Sequence, residues 1–254
     1  MPQKFEGLAP ILSNLAGQRF AAFENMNSGH YIFILFSLIL SCGKTTDPYR
    51  ENLLLRPRQE QEGFYRGKLI TLNSRISGKV TGEGTFFLQD IQFYAKVALR
   101  TKWKRVTHLQ FIHEGSQCPQ AKDDVNLDGY LDFHEVISAS GKILIPLDDN
   151  LRSQAASFTR YPTSNEKGKY FYSKAVSAPV MMKDLREKDK QQGDALGKLG
   201  QNEELNLVER VLIIYGVPYY YKLPDTVQAF SGFPPHMGVP IACANIIETP
   251  EEFP

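Results

Sequence analysis

The stretch QFYAKVALR, residues 92–100, alternates between two kinds of side chain. Positions of one parity are Phe93, Ala95, Val97 and Leu99, and those of the other include Lys96 and Arg100. Successive side chains along a strand point to opposite faces of its sheet, so this pattern predicts a half-buried β-strand. A strand of this kind needs a second layer to cover its apolar face.

Six further segments have the length and composition of strands. They are residues 68–73, 106–113, 142–147, 169–176, 208–215 and 240–247. Glycines and an Asp-Asp-Asn turn at 148–150 separate several of them. Strands with turn signals between them predict an all-β fold, an antiparallel sandwich or barrel.

Composition and charge limit the class of protein. The chain has 254 residues, of which 42% are hydrophobic and 22% charged, as in globular proteins. A net charge of +1 gives no support to nucleic-acid binding, which needs a basic patch or stripe. Residues 183–206 are charged and contain three glycines, so we expect a solvent-facing excursion there that can include a short helix.

Residues 31–41 (YIFILFSLILS) are uncharged and mostly apolar. A helix needs about 20 residues to span a bilayer, so this run instead fits the core of a secretory signal. The sequence Ile39-Leu40-Ser41-Cys42-Gly43 resembles the lipobox of bacterial lipoproteins. The resemblance implies cleavage before Cys42, attachment of lipid to it, and an exported protein anchored at the cell envelope. The alternative is a buried strand or core helix at 31–41.

Three parts of the chain follow from this interpretation. They are a signal peptide at 1–41, a lipidated cysteine with a flexible tether at 42–66, and a β-sandwich domain at 67–254. The basic start expected of such a signal is weak, with only Lys4 and Arg19 upstream of the apolar run, and a leader of 41 residues is long. We hypothesise that Met26 is the true start. Gly43, rather than an aspartate, follows the cysteine, which resembles the sorting of bacterial lipoproteins to the outer membrane more than to the inner membrane.

Residues 124–135 (DVNLDGYLDFHE) resemble the calcium-binding loop of EF-hand proteins. Calcium takes six to eight oxygen ligands at about 2.3–2.6 Å, which alternating acidic and amide side chains can supply. The implied ligands are Asp124, Asn126, Asp128, the carbonyl of Tyr130, Asp132 and Glu135. Gly129 permits the sharp turn, and Leu131 is expected to pin the loop to the domain.

The alternative interpretation of this segment is an ordinary Asp-Gly turn in a β-hairpin. Its four acidic residues would repel one another without a cation, which favours the calcium loop. EF-hand loops lie between two amphipathic helices, but here Gly115 and Pro119 precede the loop and only 133–140 follows it before a strand. We therefore expect one inserted loop with a structural role and a dissociation constant of about 10⁻⁴–10⁻³ M.

Three cysteines, Cys42, Cys118 and Cys243, are present in the chain. If Cys42 carries lipid, the other two should pair in an oxidising compartment. Their surroundings, residues 111–119 and 241–247, resemble segments of secreted bacterial copper/zinc superoxide dismutases, and 209–216 resembles the penultimate strand of that family. The resemblance implies a Greek-key β-sandwich.

The metal ligands of that family are mostly missing. The first histidine of its His-x-His motif falls on Phe111, the second is His113, and a strand-end histidine falls on Tyr215. Beyond Cys42 the chain has only His108, His113, His134 and His236. The family uses six histidines and one aspartate, so we expect no dismutase activity. His108 and His113 should face opposite sides of a strand and are interpreted as structural residues.

Together these patterns predict a calcium-binding, lipid-anchored envelope protein in which calcium and a disulfide order the domain and no catalysis occurs. Two alternatives stay open. One is a metalloenzyme with a reduced site around His113. The other is an adhesion or interaction module that uses the aromatic and proline residues at 219–221 and 234–235, with a protein or glycan partner that the sequence does not identify.

Overall fold

Two antiparallel five-stranded sheets make up the computed structural model, which describes residues 63–89, 91–151, 160–187, 195–230 and 232–250. The first sheet has the order β10-β1-β3-β4-β7 and the second has the order β2-β9-β8-β5-β6. The strands are β1 (Gly63–Lys68), β2 (Ile70–Thr71), β3 (Thr81–Gln89), β4 (Gln92–Arg100), β5 (Gln110–His113), β6 (Ile143–Pro146), β7 (Lys169–Ser177), β8 (Val211–Tyr215), β9 (Pro240–Asn245) and β10 (Ile247–Thr249). The predicted all-β fold with two sheets is confirmed.

Short helices connect the strands in the described part of the chain. The α-helices are α1 (Ser74–Ser77), α2 (Phe133–Ser140), α3 (Ala178–Glu187) and α4 (Pro235–Gly238), and 3₁₀ helices occupy Ala121–Asp123 and Leu207–Glu209. None of the helices in the described ranges has both the length and the apolar character needed to cross a bilayer.

Strand β4 has the bounds that its alternation predicts, and its four apolar side chains are buried against the second sheet. In contrast, β8 (VLIIY) is buried at every position. A strand without alternation is expected where both faces of its sheet are covered. The two strands therefore define a first sheet with one buried face and a second sheet buried on both faces.

Two apolar clusters lie on the two faces of the second sheet. The larger lies between the sheets and includes Ile112, Leu212 and Ile214 from the second sheet. The smaller covers the outer face and includes Phe111, Ile213 and Tyr215, together with Leu131, Phe133 and Val136 from the connection between β5 and β6. That connection contains the predicted calcium loop, so the loop belongs to a layer that closes the second core.

Strands β1 and β3 were not predicted. β1 begins at Gly63, inside the segment 42–66 predicted as a tether, so the sandwich begins four residues before the predicted boundary at 67. β3 contains Gly82 and Gly84, which the sequence pattern treats as turn residues. A Cβ on Gly84 would lie 2.6 Å from Leu212 Cδ2 across the core, and one on Gly82 would lie 2.0 Å from the Ala98 carbonyl oxygen. These glycines permit close approach within a strand, as glycines in strands often do.

The charged region 183–206 is only partly the solvent-facing excursion that was predicted. Helix α3 begins before it, at Ala178, and buries Met181, Met182 and Leu185. Leu199 and Leu205 also belong to the core between the sheets. Met181 and Met182 lie before the charged region, and Leu185, Leu199 and Leu205 are separated within it by polar residues and glycines, so no apolar pattern marks the region as partly buried.

The predictions made for residues 1–62 lie outside the described residues. They comprise the signal peptide at 1–41, the start at Met26, lipidation of Cys42 and most of the tether.

Candidate calcium-binding site

The loop at 124–135 follows the 3₁₀ helix Ala121–Asp123 and runs into the first turn of α2. Asp128-Gly129 is therefore flanked by helices and not directly by strands, so it is not the tight β-hairpin turn of the alternative interpretation. Helix α2 occupies Phe133–Ser140, the short segment between the loop and the next strand, for which no helix was predicted.

The first half of the loop is coiled by side chains that accept hydrogen bonds from its own backbone. Asp124 accepts from the amides of Asp128 at 3.2 Å and Gly129 at 2.9 Å. Asn126 accepts from Asp128 at 2.9 Å, and Asp128 accepts from Tyr130 at 2.8 Å. Such local bonds are the reason that Asp and Asn favour turns. They hold the first half of the loop in a coil around the Asp124 carboxylate.

Two residues of this half adopt left-handed backbone conformations, Leu127 with φ of 58° and Gly129 with φ of 87°. Gly129 does so without steric cost, as predicted from its position. Leu127 carries a side chain that disfavours this conformation by about 1 kcal/mol. The strained coil is therefore maintained by the surrounding hydrogen bonds.

The second half of the loop is a helix N-terminus. Asp132 is the N-cap of α2 and accepts from the Glu135 amide at 3.1 Å, while Glu135 accepts from the Asp132 amide at 3.0 Å. This reciprocal pair is a capping box. The other oxygen of Glu135 accepts from the amides of Val125 at 2.8 Å and Asn126 at 3.3 Å. Glu135 thus closes the loop by joining its end to its beginning.

Burial of the acidic groups is the main electrostatic feature of the loop. Asp132 is 3% exposed and Glu135 is 7% exposed, and the side chains of Asp124 and Asp128 are half-buried. Among the described residues, no Lys or Arg forms an ion pair with any of these four carboxylates. Burying carboxylates is costly unless a charge or hydrogen bonds compensate. Here only backbone and hydroxyl donors do so.

In the ranges that the structure describes, no three His, Cys, Asp or Glu side chains converge closely enough to hold a metal ion as they stand. The structure brings Glu135 to the start of the loop and Asp124 to Gly129, but it does not bring all predicted ligands to one point. Tyr130 is half-buried, whereas Asn126 and the neighbouring His134 are exposed.

Two elements that are distant in sequence attach the loop to the domain. Asn73 accepts from the Leu131 amide and donates to the Leu131 carbonyl, both at 2.8 Å, and Leu131 is buried as expected. The Gln228 amide donates to Asp132 at 2.9 Å, and the Thr226 hydroxyl donates to Asp128. Nothing in the local sequence pattern identifies Asn73, Thr226 or Gln228, because their partners lie far away in the chain.

A disulfide lies next to the loop. Cys118 and Cys243 are bonded, with Cα atoms 5.8 Å apart, as predicted. Cys243 is in β9 and Cys118 is in the segment that leads to the loop. Because the amide of Cys118 also donates to the side chain of Asn245 at 3.0 Å, this segment is joined to β9 at two points.

His113 and Tyr215 form a buried pair on the outer face of the second sheet. The Tyr215 hydroxyl donates to His113 Nε2 at 3.0 Å, and His113 Nδ1 donates to the Gly141 carbonyl at 2.9 Å. Both nitrogens of this imidazole therefore have partners. This gives no support to a metal site around His113 and agrees with its interpretation as a structural residue.

His108 is also fully buried, before the start of β5 rather than on the predicted strand 106–113. Its Nδ1 donates to the Tyr215 carbonyl at 3.2 Å. Burial lowers the pKa of both His108 and His113 to about 4, and the hydrogen bonds to carbonyls offset this only in part. Both imidazoles are therefore neutral at pH 7.

These histidines predict acid sensitivity. A pKa of about 4 in the folded state, below the ordinary 6.5, means that their stabilisation is present above pH 6.5 and is lost as pH falls towards 4. The loss amounts to about 3 kcal/mol for each histidine. We expect His113→Gln to lose less free energy of unfolding than the wild type between pH 7 and 4, as measured by urea denaturation.

Comparing the wild type with His113→Gln removes the contribution of Asp148, which depends on pH in the opposite direction. Burial raises the pKa of Asp148 to about 6, so the contribution of Asp148 to the free energy of unfolding is lost as pH rises through 6. Equal pH slopes for the wild type and His113→Gln would show that His113 does not contribute to acid sensitivity.

The aromatic segment that follows β8 is exposed at two positions. Tyr219 is 81% exposed and Tyr220 is 68% exposed, while Tyr221 is half-buried. Pro234 and Pro235 are also exposed. This exposure favours the alternative in which the domain contacts a partner here.

Comparison with protein-family models and with curated protein sequences identifies no relative of this chain. The resemblances to lipoproteins, EF-hand loops and superoxide dismutases therefore stay predictions based on short segments.

Proposed function

We propose that the loop at 124–135 binds one calcium ion and that the ion has a structural role. The observation that supports this most strongly is the burial of Asp132 and Glu135 without a cationic partner in the described residues, on the same coiled segment as Asp124 and Asp128. A divalent cation would offset the repulsion among these four charges. The ligands in this proposal are Asp124, Asn126, Asp128, the Tyr130 carbonyl, Asp132 and Glu135.

The hydrogen bonds within the loop are compatible with calcium binding. A carboxylate oxygen has two lone pairs, so an oxygen that accepts one amide hydrogen can also coordinate an ion. Both oxygens of Asp124 accept one amide each, as do Oδ1 of Asp128 and Oε2 of Glu135. Oε1 of Glu135 accepts two amides, so Glu135 has a lone pair for the ion on Oε2. The bonds preserve the coil, and binding requires the acidic side chains to turn towards a shared point.

The role of the ion follows from the position of the loop. The connection between β5 and β6 covers the outer face of the second sheet with Leu131, Phe133 and Val136. The disulfide attaches the start of this connection to β9, and calcium would stiffen its middle. Together they would keep the second core closed.

Calcium is therefore expected to raise the melting temperature of the full chain. At a tenfold excess over the dissociation constant, binding adds about 1.4 kcal/mol, or about 3–6 °C for a domain of this size. Thermal unfolding in calcium and in a chelator measures the shift. Asp124→Asn should abolish it, whereas Asp149→Asn, an exposed acid outside the loop, should retain it. An equal melting temperature in both solutions would contradict the proposal.

We also propose that the protein is exported and lipid-anchored through Cys42. The support is the apolar run at 31–41 with the lipobox-like sequence after it, and the disulfide agrees with an oxidising compartment. When the chain is produced in a bacterial host, a radiolabelled fatty acid should be incorporated and should be absent from Cys42→Ser. Labelling that persists in Cys42→Ser would contradict the anchor.

We further propose that the domain has the Greek-key topology of superoxide dismutases without their metal site. The strand order supports it, because β7 pairs with β4 although β5 and β6 of the other sheet lie between them in sequence. Phe111, His113 and Tyr215, which fall on copper ligands of that family, lie together, with ring centroids of Phe111 and Tyr215 5.6 Å apart. They form an aromatic and hydrogen-bonded cluster, which fits a structural role and no catalysis.

A further inference from the structure

A basic and aromatic patch is formed by two segments, residues 102–104 and 219–222. The first follows β4 and contains Lys102, Trp103 and Lys104, and the second follows β8 and contains three tyrosines and Lys222. The ring centroids of Trp103 and Tyr221 are 6.0 Å apart in an edge contact, which joins the segments. The patch is therefore continuous, although its parts are more than 100 residues apart in sequence.

The aromatic part of the patch has a rigid base and an exposed tip. Trp103 and Tyr221 are half-buried, and Tyr221 packs against the core between the sheets. Tyr219 and Tyr220 extend beyond them, with their ring centroids 5.6 Å apart in an edge contact. Two adjacent exposed aromatic rings on a well-attached segment are unusual for a surface without a partner.

The charged part of the patch is cationic and unneutralised. Within the described residues, Lys102, Lys104 and Lys222 form no ion pair, whereas the nearby Arg105 pairs with Glu166. The Lys102 ammonium lies 4.4 Å from the centroid of the Trp103 ring, so cation and aromatic surface are adjacent. The partner that complements this patch must present negative charge and accept tyrosine side chains.

We propose that this patch binds an anionic lipid surface. Tyr and Trp are enriched at the headgroup level of membranes, where an apolar ring and a polar tip are both satisfied. Lysines beside them attract anionic headgroups, each strengthening binding about fivefold. A protein partner fits less well, because lysine is depleted from the cores of protein–protein interfaces.

This inference goes beyond the proposed lipid anchor and needs neither the anchor nor calcium. The register of the first sheet pairs Gly63 with Leu88 at one end and Arg100 with Lys169 at the other, so the patch lies at the end opposite the start of β1.

Vesicle flotation with the full chain carrying Cys42→Ser tests the proposal without any attached lipid. Binding is compared between vesicles of phosphatidylcholine alone and vesicles that also contain phosphatidylglycerol. We expect about 100-fold stronger binding to the anionic vesicles, from three lysines at about fivefold each. The apolar run at 31–41 is the same in every variant, so the ratio between vesicle types reports on charge.

Variants locate the contact. Lys102→Glu, Lys104→Glu and Lys222→Glu combined should abolish the preference, and Tyr219→Ser with Tyr220→Ser should weaken binding to both vesicle types. The charge-matched control is Lys174→Glu, Lys183→Glu and Lys198→Glu, three exposed lysines outside the patch, which should retain the preference.

Three outcomes would overturn the proposal. The first is no preference for anionic vesicles, and the second is an equal loss of preference in the two triple variants. The third is that the chain binds immobilised poly-glutamate but does not bind vesicles. The last would assign the patch to an acidic polypeptide. Failure of calcium binding or of labelling at Cys42 affects none of these readouts.

Discussion

Replacing both bonded cysteines, Cys118→Ser with Cys243→Ser, should lower the free energy of unfolding by about 2–5 kcal/mol. The cross-link connects residues separated by 125 positions, so it removes much conformational freedom from the unfolded chain. In the folded state it joins the segment before the loop to β9 within the second core. Loss of the bond should therefore loosen the layer that covers the second sheet.

Urea denaturation under non-reducing conditions measures this effect. Each single variant should be destabilised about as much as the double variant, because either one removes the bond. Reduction of the wild type should give the same loss, and non-reducing peptide mapping should recover Cys118 joined to Cys243. A loss below about 0.5 kcal/mol in the double variant, within the range of ordinary surface substitutions, would contradict a stabilising bond.

Glu135→Ala should lower the free energy of unfolding by about 2–4 kcal/mol even in a chelator. The Glu135 carboxylate accepts from the amides of Val125, Asn126 and Asp132, and all three would lose their partner. The bond from the Asp132 amide is buried, and an unsatisfied buried donor costs about 1–3 kcal/mol. The bonds from the amides of Val125 and Asn126 are only part-buried, so their loss adds less. In calcium the deficit should grow, because the variant also loses a proposed ligand.

The matched variant Glu135→Gln separates these two contributions. Glutamine retains an acceptor oxygen and can serve in a capping box, so the loss in a chelator should be smaller than for alanine. Without the charge, however, stabilisation by calcium should disappear. If Glu135→Gln keeps the full calcium response in thermal unfolding, Glu135 is a capping residue alone and not a ligand.

Much of the fold was predictable because its signals are local. The alternation at Gln92–Arg100 predicts β4 with its observed bounds, since one face is buried and the other is not. β3 was missed because Gly82 and Gly84, which resemble turn residues, are required by close approach to Ala98 and Leu212. Those contacts are made across the sheet and the core, and no local pattern contains them.

The candidate site also contains residues that local sequence identifies and residues that it does not. Asp124, Gly129, Asp132 and Glu135 could be selected from one segment because their hydrogen bonds are nearly all within it. The attachment through Asn73 and Gln228 could not, because it depends on how distant segments pack. The contact between His113 and Tyr215 is also non-local, although the resemblance to superoxide dismutases places both residues at related positions.

Titration calorimetry of calcium into the full chain tests the central claim most directly. We predict a single site with a dissociation constant of about 10⁻⁴–10⁻³ M, and no binding heat for Asp124→Asn or Glu135→Gln. The absence of heat for the wild type up to 10 mM calcium, or an unchanged isotherm in both variants, would contradict calcium binding by this loop.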